Sequence, residues 1–447
     1  MLSSGSDGQM ELKKSPMERL ADSITSSGMK IGEVGQSEYT RLSFAPMSNF
    51  RSFDELMVQM ADIPKTCMKD KQASLFDSLA GGQSNSLILF GAGPLGKQAL
   101  AGLRSVGNEP KFFIDNRESL WGQKVDGIQV LAPSEAATLY GRSLCFVVTI
   151  YNSSRPIKQL RDLGCVSVVG FPALYWKYEQ EFIPWSCMGL AHPMWDARDD
   201  IRRAYQTLAD EESRLVFLEQ LQWRMDLDSS KLSPPSPVAE TYFPADIFAT
   251  NDQEVFVDCG AFDGDSIGSF LAQHNQNFAH IYALEPDAQN REKLERFREQ
   301  LPAAMALRLT ILPYAVGEKR AFVKFLSGDN VRSHVSAETG NAETECVPLD
   351  ELFAGDGLTG LPPTYNKPTY IKMDIEGAEP EAIKGAANLL STAKPVLAAC
   401  VYHRWEHLWE VPLLIDSLTR DHKIFLRRYA EDCWELVCYA VPESRLS

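Results

Sequence analysis

The chain has 447 residues, 44% hydrophobic and 23% charged, a balance that excludes a mainly disordered protein and suits about two or three folded cores. Its 60 acidic against 44 basic residues give a formal charge of −16, which works against partnership with nucleic acid or an anionic membrane. Nine cysteines with no CxxC pair speak against a disulfide framework or zinc knuckle, and no run is long and apolar enough for a membrane span, so the expectation is a cytoplasmic protein.

Residues 1–83 read as a leader, partly helical or disordered. Its one periodic stretch, "SFDELMVQMADIPKTCMKDKQASLFDSLA", is broken at Pro64. From Leu87 the order is strand, glycine turn, helix, strand: "LILF", "GAGPLGKQALAGLRSVG" and "PKFFID", with "LCFVVTI" further on. This predicts a Rossmann-like nucleotide-binding domain over 84–170. Gly91, Gly93 and Gly96 form the phosphate turn, and Asp115 ends the next strand where ribose hydroxyls bind. Residues 171–240 read as a helical connector, clearest in "DEESRLVFLEQLQWRM", closing in the Pro/Ser linker "SKLSPPSPVAE". Over 241–447 the apolar strands "EVFVDC", "HIYALE", "LRLTILPYAV", "PTYIKMD" and "PVLAACVY" precede a hairpin-like pair, "HKIFLRRY" and "ELVCYAV". The expected class is α/β, with two doubly wound Rossmann-like domains.

The two glycine loops differ in charge. "SLILFGAGPLGKQAL" carries one Lys and no acid, whereas "VFVDCGAFDGDSIGSF" carries Asp258, Asp263 and Asp265 and no base. A pyrophosphate seeks bare N–H groups and positive charge. An acidic cradle instead suits the ammonium and sulfonium of S-adenosylmethionine. Asp258, Gly260 and Ala261 would lie beneath that ligand, and Glu285, ending the second strand in "YALEP", would accept its ribose hydroxyls. The competing reading is a generic turn whose aspartates cap a helix. "KMDIEGAEPEAIKGA" brings Asp374 to the same mouth. There the competing reading is a helix start, with Asp374, Glu376 and Glu379 matching the dipole.

The series "FVDCGAFDGDS", "ALEPD", "PYAVGEKRAFVKF", "VPLDEL", "YIKMDIEGAEPEAIKG", "VYHRWEHLW" and "LRRYAEDCWELVCYAV" resembles the FkbM methyltransferases over about residues 254–443. The resemblance implies a class I methyltransferase fold with a reversed last strand and S-adenosylmethionine as donor. The acceptor it implies is a hydroxyl, often on a sugar or secondary metabolite. It puts Asp258, Gly260, Ala261, Glu285 and Ala315 on the donor, and Asp374 and Glu376 at the rim where donor and acceptor meet. Tyr314, where relatives often carry a polar residue, departs from the pattern. Residues 86–170 resemble the Rossmann-like domains of sugar-modifying acyltransferases and nucleotide-sugar epimerases or dehydratases, which implies NAD(P) or a nucleotide sugar there.

"HRWEH", His403 to His407, matches the H-x-x-E-H zinc pattern. With His403 at the end of a strand, the two imidazoles are expected to diverge, and no metal is predicted. "LPPTY" at 361–365 lacks the leading Asn or Asp of amino-group methyltransferases, which favours oxygen as the acceptor. His403 is the candidate general base, with Asp374 orienting it or replacing it; the alternative is a packing or substrate-binding histidine beside Tyr402 and Trp405. The expected function is O-methylation of a small, carbohydrate-like molecule, and oligomerisation is compatible with it. The runner-up is a non-catalytic nucleotide-sugar or NAD(P) sensing module. An NAD-dependent sugar oxidoreductase is weakened because none of the 14 tyrosines is followed four residues later by Lys.

Overall fold

In the computed structural model, residues 52–179, 182, 188–249, 251–274, 277–325, 342–354, 367–432 and 434–447 are described. The broken helix of the leader appears as two, Phe53–Asp62 and Lys65–Ala80, because Pro64 cannot continue the first. Met60, Met68 and Phe76 on these helices are fully buried.

The first sheet comprises β1 (Leu87–Phe90), β2 (Phe112–Ile114), β3 (Lys124–Val125), β4 (Ile128–Leu131), β5 (Cys145–Val148) and β6 (Ser167–Gly170), in the order β3-β4-β2-β1-β5-β6. All pairs are parallel except the β3/β4 hairpin. β1 and β5 are buried on both faces, as a covered parallel sheet requires. Strand order reverses beside β1, so the Gly91 turn lies at the switch point.

The second sheet comprises β7 (Val255–Cys259), β8 (His280–Leu284), β9 (Leu309–Leu312), β13 (Tyr370–Met373), β14 (Val396–Cys400), β15 (His422–Arg428) and β16 (Leu436–Pro442), in the order β15-β16-β14-β13-β7-β8-β9. β16 runs antiparallel to both neighbours and the rest pair in parallel, so the last strand is reversed. "LRLTILPYAV" is two strands rather than the expected one. Pro313 has no N–H to donate, and β10 (Tyr314–Val316) leaves to join β11 (Ala321–Phe325) and β12 (Ala342–Val347) in a three-stranded sheet.

Both sheets belong to one compact unit. Helix Glu211–Asp226, capped by Asp210, lies against β15, where Ser213 Oγ accepts from Leu426 N–H at 2.9 Å and Arg427 bridges Asp210 and Asp246 at 2.7 and 2.8 Å. A second seam lies before β16. Asp432 accepts from the N–H and hydroxyl of Ser153 at 2.8 and 3.0 Å and from the Ser154 hydroxyl, while the Trp434 indole donates to Tyr151 O at 2.9 Å. No helix among the described residues is long and apolar enough to cross a membrane.

Candidate active site

A cavity of about 460 Å³ opens where the carboxyl ends of β7, β8 and β13 converge, a volume in the range of small-molecule sites. Gly260 makes the convergence possible. Its φ is +82°, and a β-carbon there would lie 2.0 Å from the Asp374 carbonyl oxygen, so only glycine lets the two loops meet. The N–H groups of Gly260 and Ala261 both donate to Leu284 O, at 3.0 and 3.2 Å, folding the loop over the end of β8. Gly260 lines the cavity, whereas Ala261 is buried beneath it.

Glu285 lines the wall and is 4% exposed. Phe262 N–H donates to Oε2 at 2.9 Å and Asp287 N–H to Oε1 at 2.8 Å. Each oxygen keeps lone-pair capacity for one more donor. Burial pushes the carboxyl up to about 7, against the pull of these two N–H groups.

Asp258 does not occupy the expected place under the ligand. It is fully buried and absent from the lining, with Oδ1 3.0 Å from Lys372 Nζ and Oδ2 accepting from the Ser266 hydroxyl. The reason is register: Asp258 on β7 and Lys372 on β13 are direct partners in the parallel ladder. Burial draws the Lys372 amine down, but the Asp258 carboxylate more than offsets this and holds it well above its ordinary value. Lys372 Nζ also donates to Gly260 O at 2.8 Å, so the pair tightens the loop from below.

Asp374 stands at the rim, its side chain 27% exposed. Oδ2 accepts from the Tyr242 hydroxyl at 2.9 Å, and Oδ1 lies 3.3 Å from both the Tyr402 hydroxyl and His403 Nε2. His403 is buried, and its Nδ1 sits 2.9 Å from Glu379 Oε1, off the line of a directed hydrogen bond. His407 faces the other oxygen of the same carboxylate at 3.4 Å. The two imidazoles therefore converge instead of diverging: His403 lies in the loop after β14, His407 opens helix His407–Leu418, and fully buried Glu379 sits between them. Burial alone would lower the His403 pKa, but Glu379, Asp374 and Glu376 raise it to about 9. Both ring nitrogens of His403, expected from sequence to serve as a general base, face carboxylates: Nδ1 that of Glu379, and Nε2 those of Asp374 and Glu376. Donor atoms of Asp374, Glu379 and His403 fall within 4.8 Å of one another.

Ala315 and Glu376 line the cavity, the latter in the left-handed region at φ +57°. Tyr242, Tyr402, Lys372 and Glu435 also line it without having been assigned roles from sequence. Lys372 left a trace, since a lysine inside "PTYIKMD" needs a buried counter-charge. Tyr242 left none, because it lies ahead of the first strand of its domain, outside any motif. "LPPTY" lies outside the described residues.

At the first loop, Gly91 has φ +112° and a β-carbon on Gly96 would lie 1.8 Å from Gly91 O, so these two serve the turn and the close approach of helix Pro94–Ser105. Space above Gly93 is open. Asp115 is already engaged: it accepts from Ala92 N–H at 3.0 Å and from the Arg117 guanidinium at 2.9 Å on both oxygens. The ribose-binding role expected for it meets a carboxylate that already has partners.

Residues 258–429 match the family model described as the methyltransferase FkbM domain. Among solved structures, the methyltransferase FkbM from Methylobacillus flagellatus KT is similar at 22% identity with a TM-score of 0.65, over 84% of this chain and all of that one. That share reaches well beyond residues 258–429, so the likeness in fold does too. No curated protein matches the chain. The segment that supplies Glu285, Lys372, Asp374 and Glu376 to the cavity is thus a methyltransferase FkbM domain.

Proposed function

We propose that the protein transfers a methyl group from S-adenosylmethionine to a hydroxyl of a small, carbohydrate-like acceptor. One observation carries this reading. Among the described residues, five carboxylates line the cavity, Asp265, Glu285, Asp374, Glu376 and Glu435, against one ammonium, Lys372, whose charge is matched by buried Asp258. Such a field favours a donor of net positive charge and disfavours a pyrophosphate. Glu285 has the two open acceptor positions that a ribose diol needs, and Tyr314 and Tyr402 offer aromatic surface at the mouth. When bound, the donor supplies a methyl on sulfur with a good leaving group, so the protein's task is mainly alignment. Asp374, fixed by two tyrosine hydroxyls and His403, orients the acceptor hydroxyl, and His403 acts as a positioning residue.

Calorimetry on the full chain tests this. S-adenosylmethionine or its demethylated product should bind and NAD should not bind at the same cavity; the reverse result would sink the reading. Glu285→Ala should weaken donor binding by about 1.5 to 3 kcal/mol through loss of charge-assisted bonds. The pH dependence has a definite sign. The ionised carboxylate is the better acceptor, so wild-type affinity should fall as pH drops below about 7, and the Glu285→Ala variant should lose that part of the dependence.

The open loop at Gly93 supports a nucleotide-sugar or NAD(P) diphosphate as ligand of the first sheet. Gly93→Leu should remove that binding and leave donor affinity unchanged. Equal nucleotide binding by wild type and variant counts against it.

A further inference from the structure

Asp374 accepts from two hydroxyls and faces His403 Nε2 at 3.3 Å, so most of its acceptor positions are used. Glu435 differs. It immediately precedes β16, and because Val401 N–H donates to Leu436 O at 2.9 Å, it lies alongside Tyr402 at the mouth. Its carboxylate lines the cavity and has no hydrogen bond to any described residue. Its backbone is left-handed at φ +51°, a strained state for a residue with a β-carbon that persists only where neighbours impose it. Here they do: Tyr429 N–H donates to Glu435 O at 2.9 Å, and Trp434 is pinned to Tyr151.

We propose, resting on the donor reading above, that Glu435 is the catalytic proton acceptor for the acceptor hydroxyl. As the hydroxyl oxygen forms its bond to the methyl carbon, the carbon–sulfur pair leaves with sulfur and the O–H proton passes to a Glu435 carboxylate oxygen. Product release and loss of that proton to water restore the site. The charged groups that act on Glu435 are Asp374 just after β13, Lys372 on β13, His403 from the loop after β14 and Asp265 from the helix after β7, and Glu376 lines the same cavity. Tyr242 and Tyr402 line the same cavity. Burial and then Asp374 push the carboxyl up to about 7, with His403 and Lys372 opposing, a value suited to a base near neutrality.

The test uses the full chain labelled with 13C at glutamate carboxyls, with S-adenosylhomocysteine bound. One carboxyl titrating near pH 7 should vanish from the spectrum of Glu435→Gln, while Glu285→Gln distinguishes the other group expected there. Affinity of Glu435→Gln for S-adenosylhomocysteine should stay within about threefold of wild type, and methyl transfer to methyl glucoside should slow about 10² to 10³-fold. Titration of Glu435 in the ordinary range near 4 to 5 overturns the proposal. So does a loss of donor affinity above tenfold, which would make Glu435 a donor contact, or transfer within threefold of wild type. Failure of wild type to bind S-adenosylhomocysteine overturns the donor reading and this proposal together.

Discussion

Glu379→Ala is expected to destabilise the fold by about 3 to 5 kcal/mol, the cost of leaving a buried charge without its partner. The carboxylate has no exposed surface, faces His403 and His407, and also accepts from Ile375 N–H at 2.9 Å. Burial would raise its pKa, but the two imidazoles hold it well below the ordinary carboxylate range. The pH dependence separates this ion pairing from simple packing. His403 has a folded pKa of about 9, above its unfolded value near 6.5. Its contribution is therefore complete below about 6.5 and lost as pH rises through about 9. Glu379 has the opposite shift, so its contribution is present above its ordinary value and lost as pH falls toward the depressed one. Urea unfolding at pH 6.5 and pH 9.5 should show the gap between wild type and Glu379→Ala narrowing at the higher pH. A gap that stays constant would assign Glu379 to packing alone.

Lys372→Met is the second large effect, again about 3 to 5 kcal/mol, because Asp258 would keep its place at zero exposure with only the Ser266 hydroxyl beside it. Loss of the Lys372 bond to Gly260 O should also loosen the loop after β7. The informative experiment is the cycle with Asp258→Leu. Removing both charges together should recover more than half of the loss, since a buried pair often does little better than apolar residues of similar size. Additive losses would mean that the two residues act separately. Donor affinity measured on the double variant then shows whether the pair is needed for binding or only for folding.

The parts of the site legible in sequence were those set by local pattern. Gly260, Glu285 and Asp374 fall at strand ends, and a strand end in an α/β sheet announces itself by apolar alternation and glycine. What sequence hid were contacts made by register and by distant segments. Asp258 and Lys372 each interrupt an apolar strand, and only the pairing of β7 with β13 shows that they satisfy one another. A lone histidine at a cleft suggests proton transfer; the three carboxylates that face His403, one of them from the helix after β13, raise its affinity for a proton and show only in the fold. Glu435 is hidden in the sequence because the chain immediately before a closing hairpin strand gives no sign of facing a cavity. Pro313 shows the converse case, a break visible in the sequence that divides an otherwise continuous apolar run.

The placement of β16 has a bearing on how the protein is made. β15 is synthesised before β16 yet reaches the sheet only through it, because β16 lies between β15 and β14. Until residues 436–442 emerge from the ribosome, β15 has no strand to pair with in this sheet. Glu435, carried by the same late segment, completes the cavity at that moment. A chain released earlier therefore exposes an unpaired β14 edge and presents a site without Glu435. Premature termination near residue 430 should yield aggregating or protease-sensitive material, with no slow but folded enzyme among the products.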